Sequence, residues 1–225
     1  MTDLHILYED NHLIAVNKPA GMLSQGDKTN DKTIADEVKS YLKNKFNKPG
    51  DVFLGVIHRL DRPVSGLILF ARTSKALTRC SELFRERKIK KIYFAITENE
   101  PNEAHGDLIH YLVKNKKNNH TQAYDEQLKN SKRSILSYEH INSYKKAQLL
   151  LITPKTGRPH QIRVQLSNIG CPIINDIKYG YPSTDNKHSI YLHSYSLEFI
   201  HPVKKGKLHI TCPFPNHGLW KKVNF

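Results

Sequence analysis

The sequence predicts an α+β fold, a mixed, largely antiparallel β-sheet flanked by helices. Three observations carry that expectation. Short apolar runs with strand periodicity recur along the chain, stretches with apolar residues every three or four positions are few, and the two kinds do not alternate as the βαβ units of a parallel sheet require. The 225 residues show no internal repeat and no linker, so one domain spanning 1–225 is expected.

Taken in order, Leu13-Ile14-Ala15-Val16 reads as a strand stopped by Asn17-Lys18-Pro19-Ala20-Gly21, where Pro fixes φ and Gly permits a turn. Ile34, Val38, Leu42 and Phe46 recur every four residues behind Thr33-x-x-Asp36, a capping-box start, which predicts an amphipathic helix. Val52 to Ile57 and Leu67 to Ala71 predict strands flanking a polar loop, His58 to Gly66. A second helix follows Ser74 with Leu77, Cys80 and Phe84 inward. Ile92, Phe94 and Ile96 alternate with Tyr93, Ala95 and Thr97, a strand with Tyr93 on the face opposite the isoleucines. Lys114 to Asn119 and Lys129 to Ser134 predict loops or hairpin tips, and further strands are expected at Ile135 to Ile141, Gln148 to Thr153, Ser189 to Ile200 and Lys207 to Thr211. Between them a helix is entered at Pro159, carried by Ile162, Leu166 and Ile169, and closed by Gly170.

Charge and composition narrow the function. Thirty-five Lys and Arg against 21 Asp and Glu leave +14, which favours a polyanionic partner, the alternative being a basic surface that is merely solvated. Hydrophobic residues make up 38%, enough for a core and too many for a chain whose main state is disordered. The longest apolar runs, Leu67 to Ala71 and Leu149 to Ile152, fall far short of the ~20 residues of a membrane span. Cys80, Cys171 and Cys212 are odd in number and form no CxxC, so they are expected as reduced, buried thiols. Met1 to His5 carries no basic stretch leading into an apolar one, and a cytoplasmic protein is expected.

Motif by motif, most chemistries drop out. The 13 histidines include no HExxH, and the nearest pairs, His105 with His110 and His188 with His193, match no common zinc spacing. There is no phosphate-binding GxxxxGK[ST] loop and no GxSxG elbow around Ser65-Gly66. No metal and no cofactor are therefore expected. What remains is Asp61 among His58, Arg59 and Arg62, on a loop between two apolar strands. From residue types alone it is either a salt-bridged turn or a reactive carboxylate.

At these residues the chain resembles the RluA-type pseudouridine synthases. His58-Arg59-Leu60-Asp61 followed by Ser65-Gly66-Leu67 is similar to that family's signature, with Val64 where the family usually carries Thr. Tyr8-Glu9-Asp10 through Asn17-Lys18-Pro19-Ala20-Gly21 resembles its first motif, and Lys91-Ile92-Tyr93 its tyrosine strand. Thr156-Gly157-Arg158-Pro159-His160-Gln161-Ile162-Arg163 resembles its Gly-Arg-x-His-Gln-Leu/Ile-Arg motif, with Pro159 at an often polar position. Leu192-His193 through Ile200-His201-Pro202 resembles its last strand.

The resemblance implies an isomerase that breaks the N1–C1′ bond of a uridine in RNA, turns the uracil and rejoins it through C5, in a basic catalytic cleft and without a cofactor. It implies Asp61 as the ionised carboxylate, acting as nucleophile or base. Arg163 is its expected charge partner, since a guanidinium favours the ionised form that burial disfavours. Tyr93 would stack on the uracil and assist proton removal from C5, and Arg59 would take the place of the flipped base. Taken without the resemblance, Arg163 reads as a solvated arginine on the edge of its helix and Tyr93 as a half-buried sheet residue. RNA is the expected partner, large-subunit ribosomal RNA before transfer RNA. The rival readings are a catalytically silent RNA-binding or ribosome-assembly protein, and a metal-dependent nuclease, which the lack of clustered carboxylates disfavours.

Overall fold

A computed structural model describes residues 4–27, 30–182 and 188–223. Of the Met1 to His5 start, residues 1–3 lie outside the described residues. In chain order the elements are β1 (Ile6–Glu9), β2 (Leu13–Lys18), α1 (Ile34–Lys45), β3 (Gly55–Val56), β4 (Ser65–Ala71), α2 (Ser74–Arg85), β5 (Lys90–Thr97), β6 (His105–Asn115), β7 (His120–Tyr124), β8 (Lys132–Tyr144), β9 (Ala147–Pro154), α3 (Gln161–Asn168), β10 (Leu192–Ile200) and β11 (Lys207–Thr211). Single 3-10 turns stand at Ile177–Tyr179 and Gly218–Lys222. The expected α+β class with a largely antiparallel sheet is what forms.

The described chain divides into two compact units. The first holds the residues up to Lys90 together with Ser194–Pro215, and the second holds Lys91–His193 together with the residues from Asn216 on.

In the first unit β1, β2, β4 and β10 lie side by side, with β3 on β4 and β11 on β10. β2 and β4 run antiparallel from Leu13 opposite Ala71 to Lys18 opposite Gly66, and all seven residues of β4 are buried. That is why its sequence is a continuous apolar run rather than an alternation. Leu13, Ala15, Leu67, Leu69 and Ala71 pack with Ala76 and Cys80 of α2, and Leu77 and Phe84 complete the contact. α1 starts in the capping box its sequence predicts, with Thr33 Oγ1 accepting from Asp36 N at 3.2 Å and Asp36 Oδ2 accepting from Thr33 N at 3.0 Å. Its apolar stripe ends one turn early. Phe46 caps the helix 45% exposed, with the Arg72 guanidinium 4.8 Å from its ring centre.

In the second unit the order is β5-β9-β8-β6-β7, and every pair is antiparallel. α3 does not begin at Pro159. His160 takes a left-handed φ of 55°, and helical geometry starts at Gln161. Residues 161–166 are buried on every side, so α3 is not the amphipathic helix its spacing predicts. Gly170 does close it: Cys171 N donates to Leu166 O and Gly170 N to Ser167 O, both at 3.0 Å, a Schellman motif that needs the positive φ of 75° found at Gly170.

Elsewhere the element limits shift. The strand expected from Val52 shrinks to Gly55–Val56, because β3 reaches only Phe70 and Ala71 of β4. β8 starts at Lys132, inside the expected loop, and β10 starts at Leu192 rather than Ser189. β1, β6 and β7 have no counterpart in the sequence reading. All three cysteines are free and buried, and burial pushes the Cys80 and Cys212 thiols up to about 12.

Candidate active site

The loop that carries Asp61 is fixed from beneath by the segment that follows β2. Lys18, the last residue of β2, has no exposed surface. Its ammonium donates to the carbonyls of Met22 at 2.8 Å, Pro19 at 3.0 Å and Arg62 at 3.2 Å, which uses all three of its hydrogens. Burial lowers the Lys18 pKa to about 7 against the pull of the Asp61 charge, which raises it. Gly21 N donates to the same Arg62 carbonyl at 2.8 Å, and Arg62 Nε returns a bond to Gly21 O at 2.9 Å. One residue before Asp61, Leu60 is held through both backbone groups: its N donates to Ser24 Oγ at 3.0 Å, and Ser24 Oγ donates to its carbonyl at 2.7 Å. A turn closes on the far side, where Val64 N donates to Asp61 O at 3.0 Å. Asp61 is thus the half-buried residue of a loop whose backbone is tied on both flanks.

Neighbouring signature residues have structural tasks. His58 Nε2 accepts from Leu69 N at 3.0 Å, and its ring stacks on Phe84 with centroids 4.9 Å apart, which anchors the loop entrance to β4 and α2. Val64, in the position where the family usually carries Thr, is buried. Gly66 has φ +111°, and a Cβ there would stand 2.3 Å from Ser194 O of β10, so only glycine fits. Arg62 is exposed, with Nη1 2.9 Å from Asp31. Arg59 is exposed and has no acidic partner among the described residues.

Tyr93 and Arg163 stand in the second unit. Tyr93 sits half-buried on β5 opposite Ile152 of β9. The turn leading to α3 is organised by Gln161, whose Oε1 accepts from Thr156 Oγ1 at 2.7 Å and Arg158 N at 3.0 Å, while its Nε2 donates to Ile135 O at 3.0 Å. That places Arg163 inward with 5% exposure, so the solvated-arginine reading does not hold. Its Nε and Nη2 donate to the two Asp176 oxygens at 2.7 and 2.8 Å, and its Cζ lies 4.9 Å from the centre of the Tyr179 ring. A buried guanidinium stays tolerable because a buried carboxylate matches its charge and geometry.

The structure therefore places Asp61 and Arg59, both expected from the sequence, on one loop of the first unit, and Tyr93 and Arg163 in the second; sequence reasoning stops at these four residues. It misses Lys18 and Asp176. The only trace of Lys18 is a lysine set between an apolar strand and Pro-Ala-Gly, and nothing in the spacing of Asn175-Asp176-Ile177 marks a buried acid.

Comparison with known proteins identifies the family. Residues 12–168 match the family model described as RNA pseudouridylate synthase. The chain is 34% identical over 218 residues, 92% of its length, to the ribosomal large subunit pseudouridine synthase C of Buchnera aphidicola, and covers 66% of that protein. It is 36% identical over 183 residues to the Rickettsia felis protein of the same name, covering 80% of this chain and 57% of the other. The chain thus spans about two thirds, or less, of the length of these relatives. Among solved structures, human RNA Pseudouridylate Synthase Domain Containing 4 superposes with a TM-score of 0.78 at 24% identity, over 94% of this chain and 88% of the other, which shows a shared fold. By the family model and by these identities, the chain belongs to the RNA pseudouridylate synthase family.

Proposed function

We propose that this protein isomerises specific uridines to pseudouridine in large-subunit ribosomal RNA, in the cytoplasm, with Asp61 as the carboxylate that carries the chemistry. The observation that carries the reading is the Asp61 loop itself. Its signature sequence lies within the matched family region, and its backbone is held on both flanks by Lys18, Gly21 and Ser24. A carboxylate so placed meets a target sugar with little reorganisation, the condition under which positioning lowers a barrier.

The reaction balances without an added reactant. The N1–C1′ bond breaks, a C5–C1′ bond forms, C5 loses its proton and N1 gains one, so substrate and product are isomers. In this reading Asp61 acts on the ribose as nucleophile or base. Tyr93 offers a ring to the uracil and a hydroxyl for the C5 proton, Arg163 favours the ionised carboxylate, and Arg59 fills the space left by the extruded base. The +14 charge suits a phosphate backbone. Ribosomal RNA is preferred to transfer RNA because the similar proteins from Buchnera and Rickettsia are named for the large ribosomal subunit. Retention of Asp61, Tyr93 and Arg163 together speaks against a silent binding protein.

Tritium release from RNA labelled at uridine C5 tests this directly. Release from large-subunit ribosomal RNA, and none with Asp61→Asn, is expected. Release from transfer RNA alone would transfer the assignment to that substrate, and none from either would leave a binding protein.

A further inference from the structure

The end of the first unit's sheet opposite the Asp61 loop carries a fixed, basic turn. Gly66 and Leu67, at the start of β4, meet Ser194 of β10, whose Oγ donates to Leu67 O at 3.0 Å. From there β10 runs to Ile200, six steps of ~3.3 Å each, so the turn between β10 and β11 stands roughly 20 Å from the exit of the Asp61 loop. Asp10 lies at the same far end, just before β2, whose Leu13 is opposite Ala71.

His201, 3% exposed, organises the backbone of that turn. Its Nδ1 accepts from Val203 N at 3.2 Å and Lys204 N at 2.9 Å, its N donates to Gly206 O at 2.8 Å, and its carbonyl accepts from Lys205 N at 3.0 Å. Arg79 of α2 donates from Nη1 to Pro202 O at 3.0 Å, so the helix braces the turn, and Lys75, four residues earlier, lies on the same helix face. Lys75, Lys204, Lys205 and Lys207 are all exposed. Two acids offset this charge in part. Glu198 pairs with Lys207 at 3.0 Å, and Asp10, which Lys204 reaches at 2.8 Å, also accepts from the Tyr8 hydroxyl, His12 N and Leu13 N. Lys75 and Lys205 have no acidic partner among the described residues.

We propose that this turn and the adjoining face of α2 form a second RNA-contact surface, on which Lys75, Lys204, Lys205 and Lys207 meet phosphates of a ribosomal RNA segment lying apart from the target uridine. This rests on the reading of RNA as the substrate given under Proposed function. Lysines on a turn whose backbone is already tied neutralise phosphates at little ordering cost, and such contacts position an RNA without reading its sequence. A lysine cluster that served only solubility would contribute nothing that depends on how far the RNA extends.

The test compares two fragments of large-subunit ribosomal RNA, the hairpin that holds the modified uridine and the same hairpin joined to its neighbouring helix. Affinity is measured against salt for wild type, Lys75→Gln/Lys205→Gln, Lys75→Arg/Lys205→Arg and Lys145→Gln/Lys146→Gln, the last removing equal charge from the exposed turn between β8 and β9. On the longer RNA, Lys75→Gln/Lys205→Gln is expected to bind about tenfold more weakly at ~0.1 M salt, with the slope of log K against log[salt] smaller by about 2. On the hairpin alone it stays within about twofold of wild type, and the arginine pair keeps wild-type affinity for both. If thermal unfolding shows that the double variant does not fold, Lys205→Gln alone carries the test, with a loss of about threefold on the longer RNA and a slope change of about 1. Unchanged affinity, equal losses on the two RNAs, or an equal loss in Lys145→Gln/Lys146→Gln overturns the proposal, while tritium release by wild type keeps the reading of function. Loss of binding confined to anionic phospholipid vesicles overturns it in favour of a membrane surface. Absence of tritium release from ribosomal RNA fails the functional reading, and this proposal with it.

Discussion

Lys18 Nζ, with no exposed surface, donates a 3.2 Å hydrogen bond to the carbonyl of Arg62, the residue that follows Asp61. A buried ammonium thus holds the backbone of the loop expected to do the chemistry, and the nearby Asp61 charge favours its protonated form against burial. The arrangement is costly in isolation, since burial alone disfavours the ammonium, and it persists because three carbonyls receive its hydrogens.

That burial gives Lys18 a pH signature. Its pKa is about 7 in the folded protein and returns to about 10.4 on unfolding, so between those values the unfolded chain binds more protons and stability rises with pH. The penalty of a buried charge is fully present below pH 7 and is relieved toward pH 10. Lys18→Met removes this titration. Denaturant unfolding at pH 7.5 and 9.5 should show wild type gaining up to about 2 kcal/mol over the variant across that interval. Parallel changes in the two proteins would assign the lysine an ordinary pKa.

Asp61→Asn is close to isosteric but can act neither as nucleophile nor as ionised base. Multiple turnover should disappear while RNA affinity changes by less than about tenfold, ~1.4 kcal/mol. Sustained turnover by the purified variant would remove Asp61 from the chemistry.

Gly66→Ala places a methyl group 2.3 Å from Ser194 O at a φ of +111°. Either β10 moves or the loop exit does, and a loss of about 3 kcal/mol or more is expected. Thermal unfolding checks this, and a variant as stable as wild type would show that the close approach is not required.

Arg59 is exposed, and among the described residues no acid holds it, so its guanidinium is available to RNA. Extruding a stacked uridine costs a few kcal/mol, part of which an inserted planar group recovers. Arg59→Ala should therefore lower kcat/KM far more on a stable stem-loop than on an unstructured strand of the same local sequence, with Arg59→Lys rescuing partially. Equal losses on both RNAs at matched ionic strength would reduce Arg59 to a phosphate contact.

Much of the fold is legible locally. α1 is written in Thr33, Asp36 and the four-residue apolar spacing, and β4 in an unbroken apolar run, because capping and burial periodicity depend on near neighbours. β6 escapes for an equally local reason. Its buried face is Leu108, His110 and Leu112, and a histidine in the middle breaks the alternation that would have exposed it. His110 is tolerated there because Gln165 and Asn168 of α3 meet its two ring nitrogens at 3.0 Å each.

The site divides in the same way. The sequence by itself determined the family and the Asp61 loop, since a motif keeps its residues together along the chain. Only the tertiary structure decided that Lys18 is a buried brace rather than a surface charge, and that Arg163 lies buried against Asp176, thirteen positions away. Both outcomes depend on acceptors brought in by folding: the Arg62 carbonyl, 44 positions from Lys18, and a carboxylate on a separate turn. A charged side chain reads as exposed until its partner is placed, because desolvation is unfavourable alone and acceptable only when that partner supplies matching hydrogen bonds and charge.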